Sequence, residues 1–444
     1  MSATLPQPAA VGVLPEETLR KVTTAAIAGT VIEWFDFAIY GFMAPTIATT
    51  FFAAGDRITH LLQTFAIFAI AFALRPFGGA FFGRMGDRIG RKRVLALTVG
   101  LMSAATAAMG LLPSYAQIGI AAPLLLTLAR CIQGFSAGGE YAGAVTYVIE
   151  HAPQDQRSRY SSWMPAATFA SFALAALLSY LMEALLPHAD VLAWGWRIPF
   201  LAAAPMGLVA LYIRRRLDES PIFQRALADR QATSHPPLGQ VLSGHGRTMF
   251  LLGAYISLTA LSFYIFSTYM STFLQVVVHI PGKQVFLTSV VALACAAAMA
   301  PPLGRLCDRI GRRATMMLSA ALLGLLAGPA YLLASHGGLE NALLAQLLLA
   351  VGAVTANVVT AVLLSELFPT IVRYTASAIT YNVSYAIFGG TAPLVATYLI
   401  AATGNKLAPA YYIAGIAVVA LVAAWRMPET AGRSLDHAAV RTRN

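Results

Sequence analysis

Twelve long apolar runs leave this chain few folds to choose from. A helix that crosses a bilayer needs ~20 consecutive, mostly apolar residues. Runs of that order lie at 24–52, 61–82, 94–113, 120–149, 161–186, 196–213, 248–277, 284–303, 315–334, 341–368, 376–401 and 410–425. Between the sixth and seventh lies 214–247, the one long hydrophilic interior segment, broken by Pro221, Pro236 and Pro237. The expectation is an all-α polytopic membrane protein: a tail at 1–23, a six-helix bundle at 24–213, a loop at 214–247, a second bundle at 248–427 and a tail at 428–444. Only 11% of the 444 residues are charged and 58% are hydrophobic. A soluble domain carries roughly a quarter charged residues, so this chain has too little polar surface to coat a globule. The first nineteen residues lack the basic start and small-residue cleavage site of a signal peptide, and read as part of the tail.

The formal net charge of +11 would point to nucleic acid in a soluble protein. Here the charge sits in short loops and marks topology. Twenty-four of the 30 Lys and Arg lie in the tails or in alternate loops, whereas the other loops hold only Arg57, Lys283 and Lys406. The biased side is expected to be cytoplasmic, with both termini inside and a bilayer as the surrounding partner. The three cysteines have no metal-ligand spacing, and no histidine falls at a midplane position, so neither a metal nor a histidine relay is expected. No Walker A, H-E-x-x-H or G-x-S-x-G motif is present, which argues against a nucleotide-driven pump and against an enzyme.

Two repeats divide the chain. GRMGDRIGRKR at 83–93 and GRLCDRIGRR at 304–313 share G-x-x-x-D-R-x-G-R-[KR], each between two apolar runs. Both read as glycine-and-arginine turns. Asp87 can accept hydrogen bonds from an exposed helix N-terminus in the partner half, and Asp308 joins the gating candidates. Arg88, Arg91, Arg309 and Arg312 can hold the cytoplasmic ends together, a contact that must break for inward opening. The alternative is that these arginines only enforce topology. The second repeat is E-x-x-P-x-x-x-R, as Glu150 to Arg157 and Glu366 to Arg373, each carboxylate at a helix end with a proline that stops the helix. Gating and local charge satisfaction are both open readings of it.

Charges inside spans carry the chemistry, because each costs roughly 2.5–3.5 kcal/mol at the bilayer centre on insertion scales. Asp36 and Arg130 fall at comparable, central depth. An arginine holds a carboxylate through two parallel hydrogen bonds and keeps its charge when buried. Arg130 is therefore the candidate for the anionic end of a substrate, and Asp36 the candidate proton carrier. A substrate on the arginine would remove the counter-charge of Asp36 and favour proton uptake. The competing reading is a fixed ion pair between two helices. Glu33 lies one helical turn before Asp36 on much the same face and is a second proton candidate. Glu140 follows Gly134, Gly138 and Gly139, small residues that admit a close neighbouring helix, so it serves packing as readily as proton transfer. Arg75 ends the second span near the cytoplasmic face and joins the gating candidates. Tyr40, Tyr264 and Tyr381 are candidate cavity-lining residues, although core packing accounts for each one alone. Phe388, Gly389, Gly390 and Pro393 mark a bendable eleventh span.

The paired loops resemble those of the major facilitator superfamily. EWFDFAIYG at 33–41, LRPFGGAFFGRMGDRIGRKR at 74–93, RCIQGFSAGGEYAG at 130–143 and WGWRIPF at 194–200 resemble its metabolite:proton symporter family. The second half is similar more loosely, through the 304–313 loop, SFYIFSTYM at 262–270 and VRYTASA at 372–378. The resemblance implies two pseudo-symmetric six-helix bundles and proton-driven uptake across a bacterial inner membrane, with the proton gradient in place of a cofactor. It implies a small carboxylate-bearing metabolite: a dicarboxylate such as 2-oxoglutarate, citrate, shikimate, proline or glycine betaine. LRKVTTAAIAG at 19–29, RLDESPIFQ at 216–224 and PAYYIAGIAVVALVA at 409–423 are similar to the proline/betaine members. YAIFGGTAP at 385–393 is similar to the citrate and 2-oxoglutarate members. The long C-terminal coiled coil of some osmosensing members is missing from the pattern. The expected protein is a monomeric proton symporter. A proton-coupled exporter and a solute receptor without net transport are its rivals.

Overall fold

The computed structural model describes residues 27, 30, 31, 33–53, 55–89, 91–138, 140–216, 238–433 and 435. Among them the chain makes twelve helical passages and no strand. They are α1 (33–50), α2 (Arg57–Ile89), α3 (Arg91–Leu111), α4 (Ala121–Ser136, then Glu140–His151), α5 (Arg157–Ser161, then Trp163–Leu185) and α6 (Val191–Gly195, Arg197–Leu201, Ala203–Arg216). The second set is α7 (Leu238–Tyr264, Ile265–Tyr269, Met270–Val276), α8 (Gly282–Ile310), α9 (Arg312–His336), α10 (Leu339–Glu366), α11 (Thr370–Ser384, Tyr385–Gly389, Ala392–Thr403) and α12 (Ala408–Arg426). Nine stretches of described chain are long and apolar enough to cross a membrane unaided; α1, α3 and α4 are the other three passages. The chain is a polytopic membrane protein.

Packing within each set follows small residues. Cβ atoms added at Gly78 and Gly79 of α2 would overlap the backbone of Phe135 and Gly138. Cβ atoms at Gly134 and Gly138 of α4 would overlap Ala71 and Arg75. α2 and α4 therefore touch backbone to backbone, which is how helices associate where lipid removes the hydrophobic drive. Between the sets, α5 lies along α8 and α2 against α11.

The repeated motif is more helical than the sequence leads one to expect. α8 continues through Gly304 to Ile310, and α9 starts at Arg312. The turn is Gly311 alone, with φ 91°, a left-handed value that costs glycine no steric penalty. The first copy behaves alike, with α2 reaching Ile89 and α3 starting at Arg91. The side chains of Asp87, Arg88, Arg91 and Glu140, and most of the 214–247 loop, lie outside the described residues. The eleventh span, expected to be bendable, departs from a regular α-helix: it widens to a π turn at Tyr385–Gly389 and restarts at Ala392. A matching π turn, Ile265–Tyr269, interrupts α7. Such single-turn widenings recur at functional sites.

Candidate functional site

Arg130 and Asp36 are both fully buried, so neither faces lipid. They lie within Coulombic reach of each other, but none of the described ion pairs joins them directly, as the competing reading of a fixed pair between two helices would have it. Two neutral side chains stand between. Arg130 Nη1 donates to Gln133 Oε1. Gln133 Nε2 donates to Thr106 Oγ1 at 2.7 Å, and Thr106 lies beside Asp36. The physical reason for the separation lies in the α-helix: Gln133 sits one turn after Arg130 on the same face and reaches the guanidinium first.

The guanidinium of Arg130 is stacked 4.1 Å from the Tyr40 ring centroid and 5.1 Å from that of Phe68. Its Nε and Nη2 find no partner, and neither does Asp36 Oδ2. Nε and Nη2 share one edge of the guanidinium plane, the edge that takes a carboxylate side-on. A buried donor pair left unmade costs about 1–3 kcal/mol per group, so this edge is set for an acceptor.

Arg75 differs. The sequence places it at the cytoplasmic gate. The structure buries it against α1, 3.8 Å from Glu33 and over the rings of Trp34, Phe37 and Phe72. Its Nη2 also donates to the Ala137 carbonyl at 3.5 Å. Both guanidinium edges that include Nη2 are thus partly used. The same helix turn that carries Glu33 carries Trp34, which heads an aromatic cluster across the two halves. Trp34 meets Tyr141 and Phe172 of the first half and Phe263 and Tyr385 of the second at 5.5–6.5 Å between centroids. Tyr264 packs edge-on to Phe68 and Phe72, and its hydroxyl has no partner. Tyr381 stacks between Tyr141 and Tyr385. Tyr40 spends its hydroxyl on the Thr64 carbonyl, so only its ring serves the site.

At the arginine-rich end the two E-x-x-P-x-x-x-R repeats exchange partners. Arg373 of the second copy pairs with Glu150 of the first at 2.8 Å. Arg157 of the first pairs with Glu366 of the second at 3.4 Å. Glu366 also takes Arg312 side-on, from Nε at 3.0 Å and Nη2 at 2.9 Å, and accepts from the Thr430 hydroxyl at 2.7 Å. Asp308 accepts from the backbone N–H groups of Ser158 (3.0 Å) and Arg159 (2.9 Å), where α5 begins, and pairs with Arg312 at 3.0 Å. The sequence reading assigns such a helix-terminus contact to Asp87, whose side chain lies outside the described residues; here its copy Asp308 makes one. Arg309 is exposed and joins none of the described ion pairs. The segment after α12 adds a strap: the carbonyls of Gly432, Arg433 and Leu435 accept from Gln154, Arg157 and Arg373. Partial burial would raise the Glu429 carboxyl, but N–H donors of Ala431, Arg312, Arg313 and Thr430 hold it below the usual carboxylate range.

At the opposite end Phe42 meets Phe286 and Phe65 meets Tyr269 across the halves, and Gly41 abuts Thr268. Among the described residues the halves thus touch at both ends of the helices. Gln133, Thr106, Glu429 and Thr430 were missed from sequence. Gln133 had a local signal, its i+3 spacing from Arg130; the others are joined to the site only by tertiary structure.

The model of the sugar (and other) transporter family matches residues 21–235 and 227–441. The chain is 36% identical over 436 residues to the proline/betaine transporter of Escherichia coli (strain K12), covering 96% of this chain and 87% of that protein. The same identity and coverage hold for the glycine betaine/proline/ectoine/pipecolic acid transporter OusA of Dickeya dadantii (strain 3937). Among solved structures, the partially occluded inward-open xylose transporter XylE from E. coli superposes with a TM-score of 0.75 at 18% identity, covering 94% of this chain and 100% of that chain. The fold is that of the major facilitator superfamily.

Proposed function

This chain belongs to the sugar (and other) transporter family, and from that premise we propose that it is a proton-coupled symporter that imports a small solute bearing one carboxylate. The observation that carries the reading is the unpartnered, fully buried Nε/Nη2 edge of Arg130. Arg312 uses the same edge to hold Glu366. Arg130 has no such carboxylate of its own, and a solute supplies it. Asp36 is the proton carrier. Once protonated it makes no claim on the arginine, and the solute carboxylate balances the guanidinium instead.

A single free edge favours a monocarboxylate over a di- or tricarboxylate. The rings of Trp34, Phe263, Tyr264 and Tyr385 suit an alkyl or ammonium body, since a cation is attracted to aromatic faces within ~6 Å. Relatives named for proline and betaine transport fit that shape. The arginine-rich end is cytoplasmic on this reading, in a bacterial inner membrane. On the same reading its crossed ion pairs hold the inward path shut and part when the carrier opens to the cytoplasm in alternating access.

Uptake by proteoliposomes tests the reading. With an inward proton gradient, labelled proline or glycine betaine accumulates, a protonophore abolishes accumulation, and the outside turns alkaline. Arg130→Lys keeps the charge but not the fork, and weakens solute binding by about 10- to 100-fold, one charged hydrogen bond of about 1.5–3 kcal/mol. Accumulation only under an outward gradient, or equal affinity in the Lys variant, sinks the proposal.

A further inference from the structure

We infer that Gln133, held by Thr106, is the positioning residue that keeps Arg130 from collapsing onto Asp36, so that the guanidinium edge stays open for solute. The inference rests on the carboxylate-binding reading of Arg130 and adds to it the device that makes the arginine available.

The hydrogen-bond inventory leads to this. Opposite charges buried within Coulombic reach of each other in a low-dielectric site attract strongly, and Asp36 and Arg130 are such a couple, so a direct pair is the default outcome. It is not formed among the described ion pairs. Gln133 Oε1 occupies Nη1 of the arginine, and Gln133 Nε2 is tied to Thr106 Oγ1. That fixes the amide orientation, because only the oxygen can accept from a guanidinium. Thr106 donates its one proton to the Met102 carbonyl at 3.0 Å. Its oxygen receives Gln133 Nε2, so the threonine anchors the amide that holds the guanidinium.

No other neighbour supplies this function. Glu33 and Tyr40 on α1 are engaged with Arg75 and the Thr64 carbonyl. Arg75 on α2 lies on the Glu33 side, and Tyr264 on α7 presents a hydroxyl to both arginines without bonding either. α3 contributes Thr106, which carries no charge.

The proposal separates from a packing role in a double-mutant cycle read by calorimetric binding of proline and glycine betaine to the purified full chain. Gln133→Leu keeps the volume but removes the spacer. Arg130 then pairs with Asp36, and the dissociation constant rises at least tenfold. Asp36→Asn added to Gln133→Leu removes the collapse partner, and affinity returns to within about threefold of Asp36→Asn alone, the coupling expected of groups in contact. Thr106→Val weakens binding in the same direction, and Thr106→Ser restores it. Unchanged affinity in Gln133→Leu overturns the inference. So does a double variant as weak as Gln133→Leu, which makes Gln133 a packing residue. If the wild-type chain binds neither probe, the carboxylate reading fails first and the two failures are told apart.

Discussion

Arg157→Gln separates the cost of holding the halves together from the cost of holding each half up. Glu366 is buried and neutralised chiefly by Arg312, whose two side-on bonds at 2.9 and 3.0 Å lie within the second half. Those bonds survive opening and cancel from the open–closed equilibrium. What opening breaks is the bond from Arg157 to Glu366 at 3.4 Å, with side-chain exposures of only 6% and 2%. Removing that one charged donor costs the closed state about 1.5–3 kcal/mol, a shift of roughly 10- to 100-fold toward opening at ~1.4 kcal/mol per decade. Glu366 keeps Arg312, so the variant folds. Cys307 reports the shift. It is fully buried, and its Sγ lies 3.2 Å from Ser158 Oγ on the other half. In a Cys131→Ser, Cys295→Ser background it is the sole thiol. Maleimide labelling of Cys307 then speeds up at least tenfold in Arg157→Gln. A labelling rate equal to that of the parent, in a variant that still melts cooperatively, refutes the view that the crossed pair closes this end.

Three further outcomes follow from the same geometry. Asp36→Asn retains solute binding and exchange but loses accumulation against a gradient; accumulation in the variant would remove Asp36 from the proton path. Gly138→Val drives a side chain into the backbone of Arg75, Gly79 and Gly78, so detergent-solubilised yield and melting temperature fall sharply, whereas unaltered melting would deny the backbone contact of α2 and α4. Glu429 has a depressed carboxyl pKa, so its contribution to folding stability is complete above the ordinary glutamate value of 4.5 and lost as pH falls through the lower folded value; the melting temperature falls over that acid window, and Glu429→Gln flattens the response.

The helices were legible because membrane length and apolarity are local properties of the chain. The irregular turn at Tyr385–Gly389 was legible for a like reason, as glycines and a proline sit beside it. The charged residues were legible only as a cast, not as pairs. Glu33 and Arg75 lie in separate spans, and they meet only through the packing of α2 against α1. Glu150 and Arg157 read as one helix-end unit, yet each finds its partner in the other repeat. Sequence spacing reports neighbours along a helix, and these partners are set across helices. Depth counting put Asp36 and Arg130 level, but it has no means of showing that Gln133, one turn away, reaches the guanidinium first.

On the function proposed above, the contrast between Arg312 and Arg130 makes one end of the molecule a latch and its centre a binding site. Both arginines are buried, and both present the same two-donor edge. At the arginine-rich end the chain fills that edge with Glu366, then braces the carboxylate with Thr430 and Arg157. A buried charge so paired stays put until its partner is pulled away, because leaving it unpaired costs about 3–5 kcal/mol. At the centre the chain stops short of the same solution. It places a carboxylate nearby but parts it from the guanidinium with an amide and a hydroxyl. The shortfall in stability is then available to whichever carboxylate arrives from outside, and it is largest when both ends are closed and water cannot make up the difference.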